Sequence, residues 1–190
     1  MEIKLLNLRN SINKTYLKVK PNWTQIETFQ KNITNLFDQI KESESEKFHK
    51  NIISEFLKNT YYSPNNYINT KGRSDLVIHK GKDSNSTVGV QFEAKKLSNK
   101  SEMSTCENIN TKAFHELILY YLRERIINKN IEIKCLVITN IFEWFFSTQV
   151  ILKNFLLMIK VLLDNSQILK KACFSIYGLQ PIMIFASTFR

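Results

Sequence analysis

A mixed α/β domain is what this sequence predicts, and three observations lead there. Apolar residues recur at three- and four-residue steps over residues 23–58 and again over 111–127, the period of helices that bury one face. The runs DLVIH, TVGVQFEAK and IEIKCLVIT are rich in Val, Ile and Phe and read as strands. The order helix, strands, helix, strand belongs to a mixed sheet flanked by helices. With 190 residues, 43% hydrophobic and 12% aromatic, the chain is long enough for one core and too apolar to stay disordered.

Residues 1–22 are mixed and basic and read as an N-terminal arm. From Trp23, the positions Ile26, Phe29, Ile33, Leu36, Phe37 and Ile40 continue one helix face. The SESE stretch breaks it. Ser43 followed by Glu46 has the capping-box spacing, so a second helix is expected there, with Phe48, Ile52, Ile53, Phe56 and Leu57 inward. Glu55 lies beside that stripe. NTYYSPNNYINTKGR is turn-rich, with a short strand near Tyr67. DLVIH and TVGVQFEAK form a hairpin across KGKDSNS, and a polar loop leads to the helix of residues 111–127, whose face is Phe114, Leu117, Ile118, Tyr121 and Leu122. IEIKCLVIT is a buried strand, followed by NIFEWFF. The domain is therefore expected over 23–149, with an apolar extension over 150–190 in which Asp164 is the only acid. Within it VILKNFLLMIKVLL is too short and too charged to span a membrane, and Pro181 argues against continuous helix, so a core helix plus a strand is expected.

A formal charge of +10 favours a polyanionic partner, nucleic acid before an anionic membrane surface. Cys106, Cys135 and Cys173 are odd in number and widely spaced, which excludes a disulfide framework and a zinc site and suits a reducing cytoplasm. The first twenty residues lack the apolar stretch of a signal peptide.

The charges inside the hairpin need a reason, because burying an unpaired one is costly. Side chains two apart on a strand share a face, so Glu93 and Lys95 project together and Ala94 points away. Asp75 opens the neighbouring strand, and pairing of the two strands brings all three to one end of the sheet. Two adjacent carboxylates suit a hard cation such as Mg²⁺ or Mn²⁺, whose bound water is easily deprotonated and attacks a phosphodiester. A lysine beside it orients that water or neutralises charge on phosphate oxygens. The plain alternative is a pair of strand-end acids facing solvent.

The pattern resembles the PD-(D/E)xK nuclease superfamily, with Asp75 as its aspartate and Glu93-Ala94-Lys95 as its E-x-K; Ser74 stands where the family's proline is often found. A closer resemblance covers residues 23–146. GRSDLVIH, VQFEAKKLSN, NTKAFHELILYYLRER and LVITNIFEWF together are similar to the N-terminal nuclease region of type IIG restriction-modification enzymes. The resemblance implies a restriction-endonuclease-like core and a Mg²⁺-dependent DNA endonuclease, with Mn²⁺ able to substitute. It implies metal ligation by Asp75, Glu93 and the Ala94 carbonyl, with Glu55 reaching the ion from the preceding helix, and Lys95 acting on the attacking water. Hydrolysis would leave 5′-phosphate. Arg73, Lys96 and Lys112 are the expected DNA contacts, and His115 the expected support of the cleft.

The chain departs from that family after Phe146. Its prolines are Pro21, Pro64 and Pro181, so it has no N-P-P-Y methyltransferase motif, and no glycine-rich S-adenosylmethionine loop. The expectation is a nuclease domain without its modification half, the methyltransferase and specificity part lying on a neighbouring reading frame. Cutting both strands points to a homodimer. The rival readings are a repair or recombination nuclease of the same fold and a catalytically silent nucleic-acid-binding remnant.

Overall fold

The computed structural model describes residues 3–5, 14–15, 18–72, 74–105, 107–148 and 182–188. Strands β1 (Ile3–Leu5), β2 (Ile68–Lys71), β3 (Ser74–His79), β4 (Val88–Ala94), β5 (Cys135–Thr139), β6 (Glu143–Thr148) and β7 (Ile182–Thr188) form one sheet in the order β1-β7-β6-β5-β4-β3-β2. The β4–β5 and β1–β7 pairs are parallel and the others antiparallel. Helices α1 (Trp23–Asp38) and α2 (Glu46–Leu57) precede the central hairpin, and α3 (Lys112–Ile126) makes the crossover from β4 to β5 that a parallel pair requires. The mixed α/β class is thus the observed one.

The alternation of the strands sorts the core into two layers. Val77, Leu136, Ile138 and Phe145 pack with Ala113, Leu117 and Tyr121 of α3. Leu76, Ile78, Phe92, Ala94 and Val137 pack with Leu36 of α1 and Ile52, Ile53 and Phe56 of α2. The helices therefore cover opposite faces. Leu117→Ala should cost about 2–5 kcal/mol, because the site cannot collapse around the lost atoms, whereas exposed Leu119→Ala on the same helix should stay within about 0.5 kcal/mol. Urea unfolding of the two variants compares them directly.

Three details differ from the sequence reading. Trp23 is 73% exposed: it follows the N-cap Asn22, whose reciprocal bonds with Gln25 (2.8 and 2.9 Å) start the helix before its buried stripe begins. The cap of α2 is Ser45, whose hydroxyl accepts from the Phe48 N–H at 3.2 Å, so Glu46 sits in the first turn rather than closing a box with Ser43. EWFFST is a strand, β6, and the arm contributes β1 beside β7. The strand expected within 150–190 is β7, and the helix expected there lies outside the described residues. Gly72, with φ +62°, makes the tight turn between β2 and β3, a conformation that favours glycine.

On the α1–α2 face the sheet leaves a cavity of about 400 Å³. It is lined by apolar side chains, among them Phe29, Phe56, Phe92, Val137, Trp144 and Phe146. Ile141 closes one side with φ 80°, a left-handed backbone held by its N–H to Thr139 Oγ1 (3.0 Å) and its carbonyl to the Trp144 indole (2.6 Å).

Candidate active site

Asp75, Glu93 and Lys95 meet at one end of the sheet. The register that pairs Leu76 with Phe92 brings Asp75 alongside the end of β4, and its Oδ2 accepts the Ala94 N–H at 2.9 Å. β5 fixes the same end from the other side, since Glu93 and Ala94 are paired with Ile138 and Thr139, and the Lys95 N–H donates to the Thr139 carbonyl at 2.9 Å. The direction of each side chain is therefore set by backbone bonds.

Lys95 is the hub. Its Nζ lies 2.7 Å from Glu93 Oε1, 2.6 Å from Glu116 Oε2 and 3.8 Å from Glu102 Oε2. The side chain is only 4% exposed, so the lysine is a buried member of an ion cluster rather than an ammonium projecting into an open cleft. Glu93 is 2% exposed, and its Oε2 is buried without a hydrogen-bond partner. Burial, and then the Asp75 charge, push the Glu93 carboxyl up to about 9, against the pull of Lys95. Burial works against the Lys95 ammonium, but its bonds to Glu116 and Glu93 outweigh it and hold its pKa above the ordinary lysine range. Burial would raise Glu116, and the bond from Lys95 overcomes it and holds that carboxyl low.

Several members of the cluster come from outside the E-x-K strand. Glu116 stands on α3, and Glu102 on the loop before it, tied to Lys112 at 2.8 Å. Tyr120, one turn after Glu116, has its hydroxyl pKa raised by burial and then by Glu93, Glu116 and Asp75. From α2 comes Lys50, which binds Asp75 Oδ1 and Glu46 Oε1, the latter at 2.9 Å. Burial opposes the Lys50 charge, but Asp75 and Glu46 hold its pKa above the ordinary value.

Other expected site residues are placed elsewhere. Glu55 is exposed and lines a small polar recess with Asn32, Asn35, Gln39 and Asn59, between α1 and α2; the α2 residue that reaches the acids is Lys50. Residues 50 and 55 stand well over a third of a turn apart around a helix, so one cannot replace the other on a given face. His115 is exposed and bonded to Asn110 Oδ1 at 2.7 Å, while its neighbour Glu116 enters the cluster. Lys112 is exposed and engaged with Glu102, and Lys96 reaches the Ser43 carbonyl at 3.5 Å. Ala94 offers its amide to Asp75. Arg73 lies outside the described residues.

Among the described residues no three His, Cys, Asp or Glu side chains are grouped to hold a metal ion by themselves. Mg²⁺ asks for less, commonly one or two carboxylates with several waters kept. Asp75 and Glu93 supply two, and the unpartnered buried oxygen of Glu93 is the kind of hard donor that such an ion satisfies. The donor set therefore fits a hydrated divalent cation.

Over residues 6–172 the sequence matches the family described as a domain of unknown function, DUF7149. The chain belongs to the DUF7149 family. The family match runs from the arm through the whole acid–lysine cluster and across the boundary expected near residue 149. No curated protein and no solved structure matches the chain. Among the described residues no helix is long and apolar enough to cross a membrane.

Proposed function

We propose that this DUF7149 chain is a metal-dependent DNA endonuclease domain with a restriction-endonuclease-like core. In this reading it is of the type that opens type IIG restriction-modification enzymes. The observation that carries the reading is the buried, unpartnered Glu93 oxygen held beside Asp75 with Lys95 bonded to the same carboxylate. A buried carboxyl oxygen with no donor beside it is a place where a hydrated divalent ion can bind. The formal charge of +10 favours a nucleic-acid backbone as the substrate.

Asp75 and Glu93 would hold Mg²⁺, or Mn²⁺ in its place. A divalent ion supplies an easily deprotonated water and neutralises charge on the phosphate. The chain's own residues do the rest. Ala94 N–H fixes the Asp75 carboxylate, so one of its oxygens always faces the same way. Lys95, charged throughout the physiological range, would act on the attacking water through the Nζ proton that Glu93 and Glu116 leave free. Glu116 keeps the lysine in place from α3. In-line displacement then leaves a 5′-phosphate. A concerted cut of both strands takes two such sites in a homodimer; a single site would nick them in succession.

The test is supercoiled plasmid incubated with the protein and Mg²⁺ or Mn²⁺. Nicking or linearisation is expected from the wild type, and its loss in Asp75→Asn, which keeps the shape and deletes one charge. Product ends should carry 5′-phosphate. Plasmid that is bound and never cut, with either ion, would leave only a nucleic-acid-binding role and remove the proposal.

A further inference from the structure

The α2 lysine is not explained by that reading. Glu93 already has Lys95, and Lys50 adds a second ammonium to the site, bound directly to Asp75. Of the two Asp75 oxygens, Oδ2 is taken by the Ala94 amide and Oδ1 by Lys50. Any cation that enters to satisfy Glu93 Oε2 and share Asp75 therefore meets Lys50 on the oxygen that the backbone leaves free. The side chain of Lys50 is 18% exposed, so it cannot move away unpaired without cost. It does not need to. Glu46, one helical turn back, already lies 2.9 Å away and is more open to solvent.

We propose that Lys50 is a built-in counter-ion of the site, occupying the cation's place on Asp75 and passing to Glu46 when a divalent ion binds. The proposal rests on the metal-site reading of Asp75 and Glu93 given above. It makes Lys50 a competitor: the apparent affinity for a divalent ion is lowered by the hold that Lys50 has on Asp75, as for any site that must first leave another state. In the ion-free protein the same contact keeps the Asp75 charge paired. Glu46 has the opposite effect, since it gives the displaced ammonium a partner and so favours ion binding.

The two carboxyl-side roles predict shifts of opposite sign. The affinity for Mn²⁺ alone can be measured by electron paramagnetic resonance of the free ion and by the rise of melting temperature with Mn²⁺ concentration. Lys50→Met should bind Mn²⁺ roughly tenfold more tightly than wild type, the scale of one charge-assisted hydrogen bond. Glu46→Gln should bind it more weakly. If the wild type binds Mn²⁺ and Lys50→Met binds it no better, Lys50 is not a competitor and this proposal falls while the metal site stands. If neither wild type nor Lys50→Met binds Mn²⁺, the metal-site reading itself falls and takes this one with it. Should Lys50→Met fail to fold, Glu46→Gln retains Lys50 and decides alone: unchanged or tighter Mn²⁺ binding in that variant overturns the proposal.

Discussion

Lys95→Ala should lower stability by about 1–3 kcal/mol at neutral pH as well as remove any cleavage. The reason lies in what the substitution leaves behind. Lys95 bonds Glu93 and Glu116 at 2.7 and 2.6 Å from a position that is 4% exposed, so its loss leaves the Glu116 carboxylate and the buried Glu93 carboxyl without their shared donor. Breaking a buried pair by removing one partner is far more costly than replacing both. Urea unfolding of Lys95→Ala, Glu93→Gln and the double variant makes a cycle. Above pH 9, where the Glu93 carboxyl is ionised, the lysine substitution should cost clearly less in the Glu93→Gln background, because a neutral amide does not need the ammonium. Equal costs in both backgrounds would mean that Lys95 and Glu93 are not coupled, and the hub described above would be wrong.

In metal-free buffer the stability of the wild type should fall as the pH rises from about 5 to 9. Burial and the Asp75 charge hold the Glu93 carboxyl near 9 in the fold, against 4.5 for the ordinary group. Between those values the folded state binds the proton that the unfolded state releases. The contribution is therefore complete below about 4.5 and is lost as the pH climbs toward 9. At neutral pH the penalty is on the order of 3 kcal/mol, from about 1.4 kcal/mol per pH unit. Glu93→Gln is neutral at every pH. Its melting temperature should be flatter across this range and several degrees above wild type at pH 8, with chelator present. A wild-type profile as flat as that of the variant would show that Lys95 compensates the Glu93 charge in full.

How much of this was legible in the sequence follows the range of each interaction. The meeting of Asp75, Glu93 and Lys95 came from the two-residue period of a strand and the assumption that neighbouring strands pair, and both are local rules. The two helix layers came from the 3.6-residue period. Lys50 was not legible in the same way. Which turn of α2 lies against the strand ends depends on how the helix crosses the sheet, and its apolar stripe is compatible with either Lys50 or Glu55 near the acids. Glu102 and Glu116 are 14 residues apart and meet only because Lys95 is between them. The i, i+4 pairs Glu46–Lys50 and Glu116–Tyr120 were the available signal, since each places a second polar group one turn from a cluster member. The cap of α2 was off by two residues because the five alternating glutamate and serine residues 42–46 offer several equivalent starts. β6 escaped because its aromatic run, EWFF, has no clean alternation to separate strand from buried helix.

Strand β4 carries the apolar cavity on one side and the ion cluster on the other, one residue apart. Phe92 and Val90 line the cavity, and Glu93 enters the cluster. Sliding the strand by a single position would therefore do more than lose pairing. It would drive a carboxylate among phenylalanines and set a phenyl ring against Lys95 and Glu116, two errors from one slip. Most half-buried strands resist such slippage because their outer side chains prefer water; this one resists because neither of its sides tolerates the other's residues. The hairpin loop over residues 80–87 can absorb a change of length, but residues 90–95 cannot, so the spacing from Phe92 to Lys95 is fixed by packing before any chemistry depends on it.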